Sequence, residues 1–325
     1  MPDPKVVAVA GYGAIGRHHA RNLASFEGVR VIVIEAHPAS ADEAVTAGLT
    51  AVPTLDEALS LGLDGVVVAI PTALHRDFAL QCIAAGKAVL VEKPIASTVA
   101  DGEAVIEAAL RADVPLMVGY VERYNPAVIA LKRLIDEAHL GRIYSLTARR
   151  VGMMPARIKD ANVLVDIGVH DIDAAAFVLD RPLLLKSALG GRGRLEDRVD
   201  YASLAIDAGG IAVHIETNWL TPVKMRELYV FGEHGTCHVD YITQEARLAT
   251  HQDISIASTF EGTVESYKKG NWKDVPIVRE EPLHKELSVF LAAMNGGPLP
   301  NPRIALTSLA LAEEATRRID QGSLE

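Results

Sequence analysis

The sequence predicts an α/β protein of two domains: a doubly wound parallel sheet, then a second α/β domain on an open, mainly antiparallel sheet. Three observations carry this. The chain has 325 residues, more than one ordinary core accommodates. Up to about residue 122, short apolar runs alternate with helical stretches. From Arg142 onward, strand-like runs follow one another with tight turns between them.

The first half reads element by element. Lys5 to Ala10 is a short β-branched run suited to a strand buried on both faces. A helix follows from Ile15 to about Phe26, then a second buried strand from Val29 to Ile34 and a helix over Ala39 to Ala47. Asp64 to Ile70, Ala88 to Val91 and Pro115 to Val118 read as three more strands, with helices up to Ala85 and over Thr98 to Ala112. In the second half, strands are expected at Ile143 to Val151, Tyr201 to Asp207, Ile211 to Trp219, Glu227 to Phe231, Thr236 to Tyr241 and Ala246 to Thr250. Ala208-Gly209-Gly210 is a hairpin signal between two of them. Helices are expected over Pro126 to Ala138, Asp166 to Leu179, Leu283 to Asn295 and Ile304 to Asp320. The expected division is 1–122 for the first domain and 123–325 for the second.

Composition bounds the partners. The net charge is −10, which argues against nucleic acid and anionic membrane, since both need a basic surface. Two cysteines, Cys82 and Cys237, stand outside any CxxC pair, so neither a disulfide framework nor a structural zinc site is expected. No signal-peptide pattern opens the chain, and no apolar run approaches the roughly 20 residues that span a bilayer. A cytoplasmic location is the expectation.

Gly11-Tyr12-Gly13-Ala14-Ile15-Gly16 directly follows the first strand and opens a helix. In this context the three glycines have separate physical jobs. Gly11 permits a tight turn, Gly13 lets the backbone approach a pyrophosphate, and Gly16 lets helix pack on strand. The helix N-terminus offers unpaired N–H groups to the phosphates. This is the signature of a Rossmann dinucleotide site. Glu35 ends the second strand, where an acid accepts hydrogen bonds from the adenosine ribose and repels a 2′-phosphate; no arginine follows it. NAD is therefore expected over NADP, the alternative being that Glu35 faces solvent.

Two segments carry candidate chemistry. Glu92-Lys93-Pro94 stands at the carboxyl end of the fourth predicted strand, the edge at which such sheets bind ligands. The alternative is a surface Glu–Lys pair. In Asp166-Ile167-Gly168-Val169-His170-Asp171-Ile172-Asp173, helical spacing puts Asp166, His170 and Asp173 on one face and Val169, Ile172 and Ala176 on an inward stripe. Such a histidine is an oriented base, part of a two-acid metal site, or a polar surface with no function.

Together with Pro71-Thr72-Ala73-Leu74-His75, these elements resemble the Gfo/Idh/MocA family of NAD(P)-dependent sugar and cyclitol oxidoreductases, over the whole chain. The resemblance implies cofactor contacts from Gly11, Tyr12, Gly13, Ala14, Ile15, Gly16, Glu35, Ile70, Pro71, Thr72, His75, Glu92 and Lys93. It implies no metal, a small-molecule sugar or nucleotide-sugar substrate, and a homodimer or homotetramer formed through the second sheet. It assigns Lys93 and His170 to the reacting carbon, with Asp166 beside them. Gly119 to Val128 further resembles the segment entering the second domain of UDP-N-acetylglucosamine 3-dehydrogenases, as do Arg149-Arg150-Val151-Gly152 and Pro155-x-Arg157-Ile158-x-Asp160. Met153 and Met154 depart from that pattern. A nucleotide sugar brings a diphosphate, for which Arg123, Arg149, Arg150 and Arg157 are candidate partners. Strand alternation lets only one of Arg149 and Arg150 face a site, and Arg150 is favoured. Asn125 is also expected at the substrate. The rival readings are an inositol or sugar-phosphate dehydrogenase of the same family and a non-catalytic NAD-binding sensor.

Overall fold

The computed structural model describes residues 4–155, 161–250 and 272–322. The chain forms two compact units, 1–121 with 281–310 and 122–280 with 311–325. The segment 281–310 therefore groups with the first unit, whereas the expected division at 122/123 places it in the second.

In the first unit six strands form one parallel sheet: β1 (Lys5–Ala10), β2 (Val29–Ile34), β3 (Thr50–Val52), β4 (Gly65–Val68), β5 (Ala88–Glu92) and β6 (Leu116–Gly119). Their order is β3-β2-β1-β4-β5-β6. The order reverses between β1 and β4, so a crevice opens beyond their carboxyl ends. The central strands are apolar throughout because helices cover both faces; Val7, Ala8 and Val9 have no exposure. The helices are α1 (Ala14–Leu23), α2 (Pro38–Thr46), α3 (Leu55–Ser60), α4 (His75–Ala84) and α5 (Val99–Ala112). Thr54 and Thr98 cap α3 and α5 by accepting from the N–H three residues on. Sequence reading misses β3, whose three residues carry no period.

In the second unit the strands are β7 (Ile143–Met153), β8 (Leu184–Gly191), β9 (Tyr201–Asp207), β10 (Ala212–Asn218), β11 (Leu220–Gly232), β12 (Gly235–Asp240), β13 (Glu245–Thr250) and β14 (Lys273–Asp274). Their order is β14-β13-β12-β11-β7-β10-β9-β8. All pairs are antiparallel except β7 with β10. The β9–β10 hairpin turns at Ala208-Gly209-Gly210, where both glycines have positive φ (64° and 90°). One sheet face packs under α6 (Pro126–Asp136) and α7 (Val169–Leu179) and buries Leu146, Ala148, Val213, Ile215, Leu228 and Val230. The other face carries Leu189, Tyr201 and Phe231, which are 52%, 41% and 39% exposed.

Two further helices close the chain, α8 (Pro282–Ala293) and α9 (Arg303–Asp320). α8 and the first part of α9 group with the first unit, the rest of α9 with the second. No described helix is long and apolar enough to cross a membrane. Cys82 and Cys237 are free and buried, and burial pushes both thiols up to about 12.

Candidate active site

The glycine turn of the first unit fits a dinucleotide in each of its parts. Gly11 has φ +88°, and a Cβ there would lie 2.7 Å from the Ala69 carbonyl oxygen. A Cβ on Gly16 would collide with the Gly11 carbonyl oxygen, whereas one on Gly13 would meet nothing within 4 Å. Gly13 therefore leaves open space where the backbone can approach a phosphate. It also N-caps α1 without any side-chain acceptor, leaving the first-turn N–H groups for a ligand. Glu35 is half-buried and does not simply face solvent. Its Oε2 accepts from the Tyr12 N–H at 2.9 Å and its Oε1 from the His37 N–H at 2.8 Å. Each oxygen keeps a lone pair for a ribose hydroxyl. The Arg17 guanidinium packs over the Tyr12 ring, bonds the Tyr12 carbonyl at 3.0 Å and pairs with Glu43.

The carboxyl ends of β4 and β5 are tied together by His75. Its Nδ1 lies 2.8 Å from the Pro94 carbonyl oxygen and its Nε2 2.8 Å from that of Ile70. Burial lowers its pKa, while the Pro94 and Ile70 carbonyls oppose that shift, because both can only accept and a ring carrying a proton on each nitrogen serves both. The expected direct cofactor contact from His75 is thus replaced by a clamp. It fixes the loop of Ile70, Pro71 and Thr72 against the loop of Lys93 and Pro94. Glu92 likewise turns inward. Its Oε1 lies 2.7 Å from Nε2 of the fully buried His19, and its Oε2 accepts from the Lys93 N–H at 3.2 Å. Burial alone would raise the Glu92 pKa, but His19 and Lys93 hold it below the usual carboxylate range. Sequence reading missed His19; the available signal was its place three residues after Gly16, on the inward face of α1. Lys93 is half-buried, and its peptide bond to Pro94 is cis.

In the second unit, Asp166 and His170 lie where a π-helical turn (Leu164–Gly168) runs into α7. The Val169 N–H reaches back to the Leu164 carbonyl. This inserts a residue and rotates the following side chains by about one position. The simple helical face expected for Asp166, His170 and Asp173 does not survive it. Asp166 is 9% exposed and His170 half-buried, but Asp173 is fully buried and takes both ends of Arg123, at 2.7 and 2.5 Å. Gly168 has ordinary helical φ (−63°) and packs closely on the Leu164 and Thr217 side chains.

The same burial corrects the arginine assignments. Arg150 is 1% exposed. It donates to Asp171 at 3.0 Å through Nε and 3.0 Å through Nη2, and to Glu122 at 2.9 Å through Nη1. The Tyr241 ring stacks on it at 4.8 Å. Three of its five N–H donors are committed to Asp171 and Glu122, so its charge is already paired within the protein. Arg123 is spent on Asp173 in the same way. Asn125 caps α6 by accepting from the Ala127 N–H at 3.1 Å, and donates to Tyr241 and Glu122. Arg149 is exposed and pairs with Glu216 on the opposite sheet face. Arg157 lies outside the described residues. The acids that hold Arg150, Glu122 and Asp171, were missed because helical spacing gave no reason to turn them inward.

Comparison with known proteins bears on the family and the fold. Residues 5–120 match the family model described as "Oxidoreductase family, NAD-binding Rossmann fold", and residues 128–238 match the "GFO/IDH/MocA C-terminal domain". The chain is 30% identical over 272 residues to inositol 2-dehydrogenase 2 of Saccharopolyspora erythraea, covering 79% of this chain and 76% of that one. It shares its fold with UDP-N-acetylglucosamine 3-dehydrogenase GnnA from Acidithiobacillus ferrooxidans, with TM-score 0.83, 21% identity and 98% of each chain covered. It shares it also with the WlbA dehydrogenase from Bordetella pertussis, solved with NADH and UDP-GlcNAcA, with TM-score 0.82, 22% identity and coverage of 99% and 97%.

Proposed function

The chain belongs to the Gfo/Idh/MocA family of NAD-binding sugar oxidoreductases, and from that premise we propose that it oxidises the 3-hydroxyl of UDP-N-acetylglucosamine to a ketone. The observation that carries the chemistry is the pair Asp166 and His170, held at a π-helical turn by buried neighbours. The nucleotide-sugar assignment is supported by the segment Gly119 to Val128 and by the fold shared with GnnA. A second reading, an inositol dehydrogenase, is favoured by the 30% identity to the Saccharopolyspora enzyme.

NAD, when bound, supplies the acceptor for the hydride that leaves the substrate carbon. The glycine turn and the free N-terminus of α1 bind its pyrophosphate, and Glu35 binds the adenosine ribose. Unprotonated His170 takes the hydroxyl proton, and Asp166 orients its ring. The Lys93 ammonium stabilises the negative charge that grows on the substrate oxygen. The exposed sheet face bearing Leu189, Tyr201 and Phe231 is proposed to pair with a second copy, in a homodimer or homotetramer.

The test is mass spectrometry of products formed with NAD from UDP-N-acetylglucosamine and from myo-inositol, with hydroxylamine to trap a ketone. An oxime of the nucleotide sugar is expected. An oxime from inositol alone would select the second reading. Tight NAD binding without a ketone from any polyol would make the chain a non-catalytic NAD sensor.

A further inference from the structure

One cavity of the second unit, about 300 Å³, is walled by Arg226, Lys224, Trp219, Ile167, Gly152 and Arg150. Ile167 belongs to the π-helical turn, so the cavity adjoins the Asp166–His170 segment. Its volume is at the low end for small-molecule sites, roughly 300–1,000 Å³.

The polar groups of this wall are all donors. The Arg226 and Lys224 side chains have no ion-pair or hydrogen-bond partner among the described residues. The Trp219 indole N–H, on a side chain 3% exposed, is likewise unpartnered. Indole, ammonium and guanidinium can donate but not accept. Among the described residues, no carboxylate lines the cavity.

The arrangement costs stability when nothing fills it. Arg226 stands directly opposite Arg150 across β11 and β7, and like charges in that position repel. Burial, and then Arg150, lower the Arg226 pKa, while Arg226 lowers that of Lys224. Glu122 and Asp171 act on Arg226 only at a distance, because both accept from Arg150. Asp166 acts on it as well, which places Arg226 near the proposed catalytic helix. The register slip between Leu220 and Met225 redirects the chain at Lys224, as bulges beside active sites do.

We infer that this cavity seats an anionic group of the substrate, a phosphate or a carboxylate, held by Arg226, Lys224 and the Trp219 N–H. The inference rests on the dehydrogenase reading and sharpens it: the substrate is an acidic sugar derivative rather than a neutral cyclitol. It also moves anion recognition from Arg150 and Arg123 to residues with donors to spare.

The test uses NAD-loaded protein carrying Trp272→Phe, so that Trp219 is the only tryptophan reporting. UDP, inorganic phosphate and glucuronate are titrated against its fluorescence, and KM is measured for UDP-N-acetylglucosamine and myo-inositol. At least one anionic probe should perturb Trp219, and whether phosphate or carboxylate binds tighter names the group. Lys224→Met and Arg226→Met should each weaken that binding about 10- to 100-fold. Lys224 is exposed, so its variant keeps the wild-type melting temperature and decides the matter if Arg226→Met fails to fold. Absence of binding by all three probes at millimolar concentration, or binding unchanged in Lys224→Met, overturns the inference. Oxidation of inositol with equal KM in wild type and variants, without anion binding, leaves the dehydrogenase reading intact and removes this one. Anion binding that the variants lose, with no sugar oxidised, does the reverse.

Discussion

Arg150→Met separates a substrate ligand from a structural cation. In the wild type Arg150 is 1% exposed and makes three charge-assisted bonds of 2.9 to 3.0 Å to Asp171 and Glu122. Removing it strands Asp171, which has no exposure, without a bonded cation; Arg226 acts on it only at a distance. Breaking a buried pair in this way costs about 3–5 kcal/mol. For a unit of this size that converts to a fall of about 6–20 °C in the melting temperature. Calorimetry should therefore show the second unit melting earlier, with the first unit little changed. The deficit should depend on pH with a definite sign. Burial raises the Asp171 pKa, and Arg150 restrains that rise. Without Arg150 the folded carboxyl takes up a proton more readily than the unfolded one. Stability then falls as pH rises from the unfolded carboxylate value, about 3.9, to the raised folded value. The variant should accordingly stand closest to wild type at the acid end of that window. Arg150→Lys should fail to rescue, because an ammonium cannot bridge two carboxylates as the guanidinium fork does. A variant that melts like wild type while KM for the sugar rises tenfold would refute this reasoning and return Arg150 to the substrate.

Other outcomes follow from the same geometry. Gly13→Ala should fold normally and lose NAD affinity at least tenfold, since a methyl there meets only the space a phosphate needs, whereas Gly16→Ala should destabilise the fold itself; equal melting temperatures for the two would contradict this. Glu35→Ala removes the acceptor of the Tyr12 and His37 amides, which loosens NAD and NADP alike, so the ratio of their dissociation constants is the diagnostic, expected to shift about tenfold toward NADP. His170→Ala should lower turnover about 10²–10⁴-fold with NAD affinity retained, and Lys93→Met should cost similarly; wild-type turnover in either variant would unseat that residue. Sedimentation of Phe231→Glu should show smaller species than wild type, and an unchanged distribution would remove the exposed sheet face from the interface.

The parallel sheet was legible because buried strands and a glycine turn leave local marks. Lys5 to Ala10 and Val29 to Ile34 came out at the expected bounds. β8 did not, since Leu184 to Gly191 mixes leucine, lysine and alanine, which suit a helix as well as a strand. At the site, residues were recognisable but their directions were not. The π-helical turn has no sequence period, and the inward turn of Asp171 and Asp173 depends on cations from β7 and from the segment before α6. Asn125-Pro126 held the opposite lesson: an Asn-Pro pair opening an apolar run is a helix-cap signal, and the residue expected at the substrate serves that end.

The grouping of residues 281–310 with the first sheet has a consequence for synthesis. Leu306 and Leu309 belong to that unit's apolar cluster, Met294 lies against Gly65, and the His284 ring stacks on Phe26 at 4.2 Å. All six strands of the sheet leave the ribosome well before these partners do. At 5–20 residues per second, α8 emerges about 10–30 s after β6. For that interval the nascent first unit carries an unfilled apolar seat, and its last step of folding waits on the arrival of residues 281–310.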